Sequence, residues 1–247
     1  MEDAQFVGFA GLKFHKHEDH VRFGGWMEEA YMPLSIRTGW LSGLERFHVT
    51  KEDPQYPDYV AFYSFDNIQA VKNLWDEKDF VAIQRDVETT FTGKCEWFSH
   101  ALYRRLRSIK KEPVAGSSSR AGAKPEEVAV ISVEAYSLPF LGKIRYEAWF
   151  EEYGYDIYLP LLMKIPGVIE YNHYLLVDVG FLNFEMGPIP EQPPYLLVVL
   201  FKNIEAYENY AKSKELAAFR AALKSEFSGN LELKWYVQYQ LVKSWRK

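Results

Sequence analysis

The chain has 247 residues and a net charge of −5, with 48% apolar and 17% aromatic side chains. Those proportions suit one large packed domain or two small ones, with room for a lined cavity. They exclude other classes: there is no basic stripe for nucleic acid, no apolar run near the ~20 residues of a membrane span, and no signal peptide in MEDAQF. A soluble, cytoplasmic protein is expected, and Cys95, the single cysteine, rules out an intramolecular disulfide.

Taken in order, Val7 to Phe14 reads as a short strand and His15 to His20 (HKHEDH) as a polar turn. Phe23, Trp26, Ala30 and Leu34 then recur at helical spacing. Leu44 to Thr50 and Tyr59 to Phe65 are predicted strands, and Asp66 or Asn67 stands where it can cap the helix of Ile68, Val71 and Leu74. A long strand at 95–107 closes this half, with Glu96, Phe98, His100 and Leu102 on one face. Residues 108–127 (SIKKEPVAGSSSRAGAKPEE) are charged, then Gly/Ser-rich, then Pro-bearing, which is the composition of a flexible linker.

After the linker the order repeats. Strands are predicted at 128–138, 168–177, 195–201 and 231–245, and helices at 146–162 and 204–223, the second broken near Ser213. Pro166-Gly167 stops the first of these helices, because proline lacks an N–H and glycine tolerates positive φ. Gly43 matches Gly167 at an offset of 124 residues. Asn67-Ile68 matches Asn203-Ile204 at an offset of 136, which also carries Glu96 onto Glu232 and His100 onto Tyr236. The difference of 12 residues falls in an inserted loop, 178–194, with Phe181, Phe184, Met186 and four prolines. That loop is expected to cover a mouth of the barrel or reach a neighbouring subunit.

The expected fold is α+β: two tandem ferredoxin-like β-α-β-β-α-β repeats, 1–110 and 128–247, joined by a linker at 111–127. A four-stranded sheet with both helices on one face leaves the other face bare. Two such sheets facing each other form an α/β barrel around an apolar cavity.

Tyr158-Leu159-Pro160-Leu161, Pro166-Gly167-Val168 and Tyr171, with the blunter Tyr31-Met32-Pro33-Leu34 upstream, resemble the EthD-like branch of the dimeric α/β-barrel superfamily. The resemblance implies two fused repeats and a cofactor-independent enzyme of lyase, isomerase, cyclase or dehydratase type. Haem enzymes built from two fused units and monooxygenases lacking a cofactor are also relatives. The histidine of the family motif is Tyr31 in the first half and Tyr158 in the second, so a base must come from elsewhere.

Three further residues are candidates for acid–base work. His48 shares a strand face with Leu44 and Arg46, and the matching face of the second half carries Glu170 and Asn172, a column polar in both halves. His100 lies in line with Glu96, a base and an orienting carboxylate. Glu134 is the single charge among Val130 to Leu138; the alternative is an ion pair with Lys13 or Arg145. Tyr31 and Tyr158 would hold a developing enolate or phenolate. His173 is expected under a helix, HKHEDH as a solvated turn rather than a metal site, and Cys95 as a buried thiol.

The expected function is acid–base chemistry on an aromatic or polyketide-like molecule in the barrel cavity, with no cofactor and no metal. A haem-dependent enzyme and a non-catalytic small-molecule-binding protein are the alternatives. No nucleic-acid or membrane partner is expected, and homodimerisation is left open.

Overall fold

The computed structural model describes residues 5–51, 56–111, 129–180, 186–228 and 230–246. All of the expected linker beyond Lys111, and Phe181 and Phe184 of the insertion, lie outside the described residues.

Strands β1 (Phe6–Phe14), β2 (Gly43–Val49), β3 (Tyr59–Phe65) and β4 (Cys95–Lys110) and their helices follow the order β-α-β-β-α-β. Strands β5 (Val130–Ser137), β6 (Val168–Val179), β7 (Tyr195–Phe201) and β8 (Glu232–Arg246) repeat it. The strands pair in the order β1-β3-β2-β8-β5-β7-β6-β4 and close a barrel, so the fold is α+β, two ferredoxin-like repeats forming an antiparallel α/β barrel. By density of contacts the chain forms two compact units. One comprises Met1–Arg105, Leu175–Gln192 and Tyr239–Lys247, the other Leu106–Tyr174 and Pro193–Gln238.

The helices show how the sequence builds each unit. Helix α1 starts at His17 (His17–Trp26), so HKHEDH opens a helix rather than forming a turn. It widens into a π-helical stretch, Met27–Tyr31, and narrows again as α2 (Met32–Arg37). Helices α3 (Ile68–Asp76) and α4 (Lys78–Phe91) follow β3. The second repeat has α5 (Phe140–Trp149), a π-helical stretch at Phe150–Tyr158, and α6 (Leu159–Met163). The sequence predicts an ordinary helix in both places. The widening precedes Pro33 and Pro160, each in the first turn of the next segment, where a ring without an N–H crowds the carbonyl four residues back.

The caps follow the repeat. Asn67 and Asn203 each accept a hydrogen bond from a backbone N–H three residues on, Ala70 and Ala206, at 2.9 Å. Ser213 does the same for Leu216 at 3.1 Å, dividing α7 (Ile204–Ala211) from α8 (Lys214–Phe227). The glycines do not follow it. Gly167 turns with φ at +82°, whereas Gly43 begins β2, and the left-handed glycine that precedes that strand is Gly39, at φ +81°.

In the first unit one sheet face packs under helices, with Leu12, Phe14, Leu44, Tyr63 and Trp97 against Phe23, Met27, Phe80 and Phe91. The opposite face carries Phe9, Phe47 and Phe62, whose rings lie 4.9 Å (Phe9–Phe62) and 5.8 Å (Phe47–Phe62) apart. Among the described residues no helix is long and apolar enough to cross a membrane.

Candidate active site

Strand alternation on β2 brings Leu44, Arg46 and His48 opposite Tyr63, Ala61 and Tyr59 of β3, on the helix-covered face. Arg46 is 4% exposed. Its Nη1 donates to the Gly24 carbonyl at 2.9 Å and its Nη2 to Glu28 Oε1 at 2.6 Å, while its guanidinium carbon stands 5.0 Å above the Tyr59 ring. Its buried Nε–H has no protein partner.

These groups form one end of a cavity walled by Leu12, Trp26, Met27, Tyr31, Ala61, Tyr63, Trp97 and Met186. The cavity volume is about 30 Å³. The cavity is therefore narrow, and anything larger than a few waters must move a side chain. Met186, an unbranched thioether on the inserted loop, is suited to that. The cavity lies between helices and sheet, not on the sheet face that the sequence suggested, because Phe9, Phe47 and Phe62 occupy that face.

Tyr31 ends the π-helical stretch and lines the cavity with Tyr63, their rings 6.2 Å apart and edge to face. Burial pushes both hydroxyls well above the usual phenol range, with the neighbouring phenol adding to the effect at Tyr31, so both remain protonated donors. His48 is half-buried and outside the cavity lining, its ring 5.6 Å from that of His20 and 5.0 Å from that of Tyr59, which does line the cavity. Burial lowers the pKa of His20.

His100 is fully buried, stacked on the cavity-wall ring of Trp97 at 4.2 Å. Burial lowers its pKa to about 3. It does not share a face with Glu96, which is exposed; the β1–β4 register shifts at Gly11/Leu12 and turns Trp97 to the side of His100 instead. The insertion is tied to this strand, as Gly180 N–H donates to the His100 carbonyl at 2.6 Å and Ser99 Oγ to Gln192 Oε1 at 2.6 Å. Cys95 is buried, with its thiol pushed up to about 11 by that burial, so it is inert as a nucleophile.

Tyr158 and Glu134 belong to the second unit. Tyr158 is half-buried, stacked on Trp149 at 5.6 Å in an open groove beside the Arg145–Glu226 ion pair. Glu134 is 1% exposed and accepts from the Tyr136 hydroxyl and from Arg220 Nη2, the latter at 2.6 Å. It is thus ion-paired, with Arg220 rather than Lys13 or Arg145, and the Arg220 guanidinium lies 4.4 Å above Tyr236.

The column of polar residues expected in both halves is not continuous. His173 faces the helices, with its Nδ1 2.7 Å from the Tyr155 hydroxyl, so Glu170 and Asn172 on the same strand point the other way. Arg46 and His48 of the first repeat face the helices. Sequence reading also gave no role to Arg46, Tyr63 or Trp97. A lone arginine alternating with Leu44 and His48 was the available signal for the first of these.

A porphyrin does not fit these residues. The free space in the first cavity is far too small, and in the second unit Phe150, Tyr146 and Tyr195 enclose His173 at 4.4, 5.6 and 5.8 Å. Burial lowers its pKa to about 3. Among the described residues no group of three or more His, Cys, Asp or Glu is placed to hold a metal ion.

No protein-family model and no curated protein matches the chain. Solved structures do. An anthrone oxidase-like protein is similar at a TM-score of 0.60 and 12% identity, over 98% of this chain and 93% of that one. A candidate monooxygenase from Fusobacterium nucleatum matches at 0.61 and 9% identity, over 100% and 96%. A dye-decolorizing protein from V. cholerae matches at 0.57 and 8%, over 97% and 93%. At such identities the likeness is one of fold. The chain has the ferredoxin-like α/β-barrel fold of these proteins.

Proposed function

We propose that the chain is a cofactor-independent enzyme that moves protons on a planar aromatic or polyketide-like molecule held in the first-unit cavity. The observation that carries this reading is the cavity itself: a narrow space with aromatic walls, lined also by Arg46 and by the hydroxyl-bearing Tyr31, Tyr59 and Tyr63. His48 serves as base, placed with its ring 5.0 Å from that of the cavity-lining Tyr59. Tyr31, held protonated, donates to the oxygen on which charge develops. His100 supports the wall through Trp97 rather than taking a proton, because an imidazole with a pKa of about 3 is a feeble base. Tyr158 and Glu134 lie in the other unit, and Glu134 is already neutralised by Arg220. They are assigned no step.

Isomerisation, dehydration or lyase chemistry follows when the resulting carbanion or enolate reprotonates elsewhere or expels a group. A second reading is that it reacts with dioxygen. The printed names of the anthrone oxidase-like protein and the candidate monooxygenase favour that outcome. For anthrone the balance is simple: one dioxygen is consumed, the methylene carbon becomes a carbonyl, and one water leaves.

Anthrone tests both. Under argon in deuterium oxide, enzyme-dependent exchange at the methylene carbon is expected. In air, faster formation of anthraquinone than without protein marks the second reading. Absence of both across a panel of aryl ketones and phenols would leave a binding protein.

A further inference from the structure

The reading above leaves Arg46 without a role, and it is the least accounted-for group in the cavity. Its side chain is 5% exposed, yet it lines an apolar space. Each of its two terminal nitrogens donates one hydrogen bond, to the Gly24 carbonyl and to Glu28. The Nε–H is buried and meets no protein acceptor. A buried charge-bearing donor with no acceptor is costly, and a ligand atom is the natural thing to supply one. Glu28, at 2.6 Å, offsets the charge, so the site does not call for a fully ionised phosphate or dicarboxylate. What its Nε lacks is an acceptor oxygen.

We infer that Arg46 selects the ligand: a planar aromatic molecule bearing a phenolic or aryl-ketone oxygen, which accepts from the Arg46 Nε–H while the ring packs against Trp26, Met27 and Trp97. This rests on the reading that the cavity takes an aromatic substrate. It adds which edge of the molecule faces Arg46, and it makes Arg46 the donor that meets the negative charge when an enolate or phenolate forms. The Tyr59 face, 5.0 Å beneath the guanidinium, and the Gly24 carbonyl fix the fork in place before a ligand arrives.

The test uses two probes of the same ring body, 1-naphthol and naphthalene, titrated against the full chain by quenching of tryptophan fluorescence. The native protein is expected to bind 1-naphthol tighter by about tenfold or more, the scale of one hydrogen bond to a charged donor, although naphthol is the less apolar of the two. Arg46→Lys keeps a cation opposite Glu28 but removes the Nε–H. It should bring the two affinities together while leaving that for naphthalene unchanged. Arg46→Met makes the same point if it folds, and should it not fold, the lysine variant decides. Equal affinities in the native protein, or a preference that survives in Arg46→Lys, overturns the role of Arg46 alone. If neither probe binds, the cavity reading fails and this inference with it.

Discussion

Trp97 and His100 stack with ring centroids 4.2 Å apart and planes 8° from parallel, although they stand three residues apart on one strand. On a regular strand such residues point to opposite faces; the shift in register between β1 and β4 at Gly11/Leu12 places them on the same one. The pair links a cavity wall to a histidine sealed from water, and the first two expectations follow from that.

The first concerns pH. An unfolded imidazole takes its proton near pH ~6.5, and folded His100 near 3. Between those values the unfolded chain binds more protons, so stability is full above ~6.5 and falls as pH drops, by about 1.4 kcal/mol per pH unit for each such histidine. His173, also near 3, adds the same slope. Urea denaturation of His100→Asn at pH 7, 6 and 5 should show a pH dependence smaller by about one proton. An NMR titration midpoint near 6.5 for His100 would contradict this.

The two strand histidines should separate. His48→Ala is expected to lower the exchange rate on a turned-over aryl ketone by ~10²-fold, with a melting temperature close to native. His100→Ala removes a buried ring from the Trp97 stack and should cost about 2–4 kcal/mol of stability, as large-to-small core changes do. If His48→Ala kept full turnover, the base would have to be found elsewhere.

In the second unit, Arg220→Met leaves Glu134 buried without its cation. A loss of about 2–4 kcal/mol in chemical denaturation is expected, the lower part of the usual range because Arg220 is 35% exposed. Glu134→Gln with Arg220→Met should recover part of it. A neutral Arg220→Met would mean that the Tyr136 hydroxyl suffices for the carboxylate.

The two glycines paired by sequence should behave differently. A Cβ on Gly167 would lie 2.3 Å from the Ala206 Cβ at a φ of +82°, whereas at Gly43 the nearest atom is 3.5 Å away. Gly167→Ala is expected to cost about 2 kcal/mol or more, and Gly43→Ala under about 1. Thermal melts of the two variants check this.

That pair of glycines also explains what the sequence could and could not convey. Asn67 and Asn203 announce the repeat because capping is local: side chain, spacing and geometry are all within three residues. Aligning Gly43 with Gly167 paired unlike backbones, since Gly167 has a positive φ and Gly43 does not. Side chains alternate with period two along a strand, so an odd slip moves every residue to the other face. The matched offset made Glu170 and Asn172 counterparts of Arg46 and His48, one residue short of Tyr171 and His173, which hold the helix-facing positions. The same arithmetic defeated the expected His100–Glu96 pairing, because a bulge leaves no mark in the composition of β4. Arg46 was visible as a cation on the strand face it shares with Leu44 and His48. Its partners, Glu28 and Gly24, are 18 and 22 residues away in sequence, and only the packing of α1 over β2 joins them.

The central claim is that the first-unit cavity receives an aromatic ring. A crystal structure of the chain with 1-naphthol tests it most directly. The account requires ring density bounded by Trp26, Met27 and Trp97, with Met186 displaced from its place in the wall and the naphthol oxygen within hydrogen-bonding distance of Arg46 Nε. Density confined to the groove beside Tyr158 and Arg145, with the first-unit cavity still closed, would contradict it.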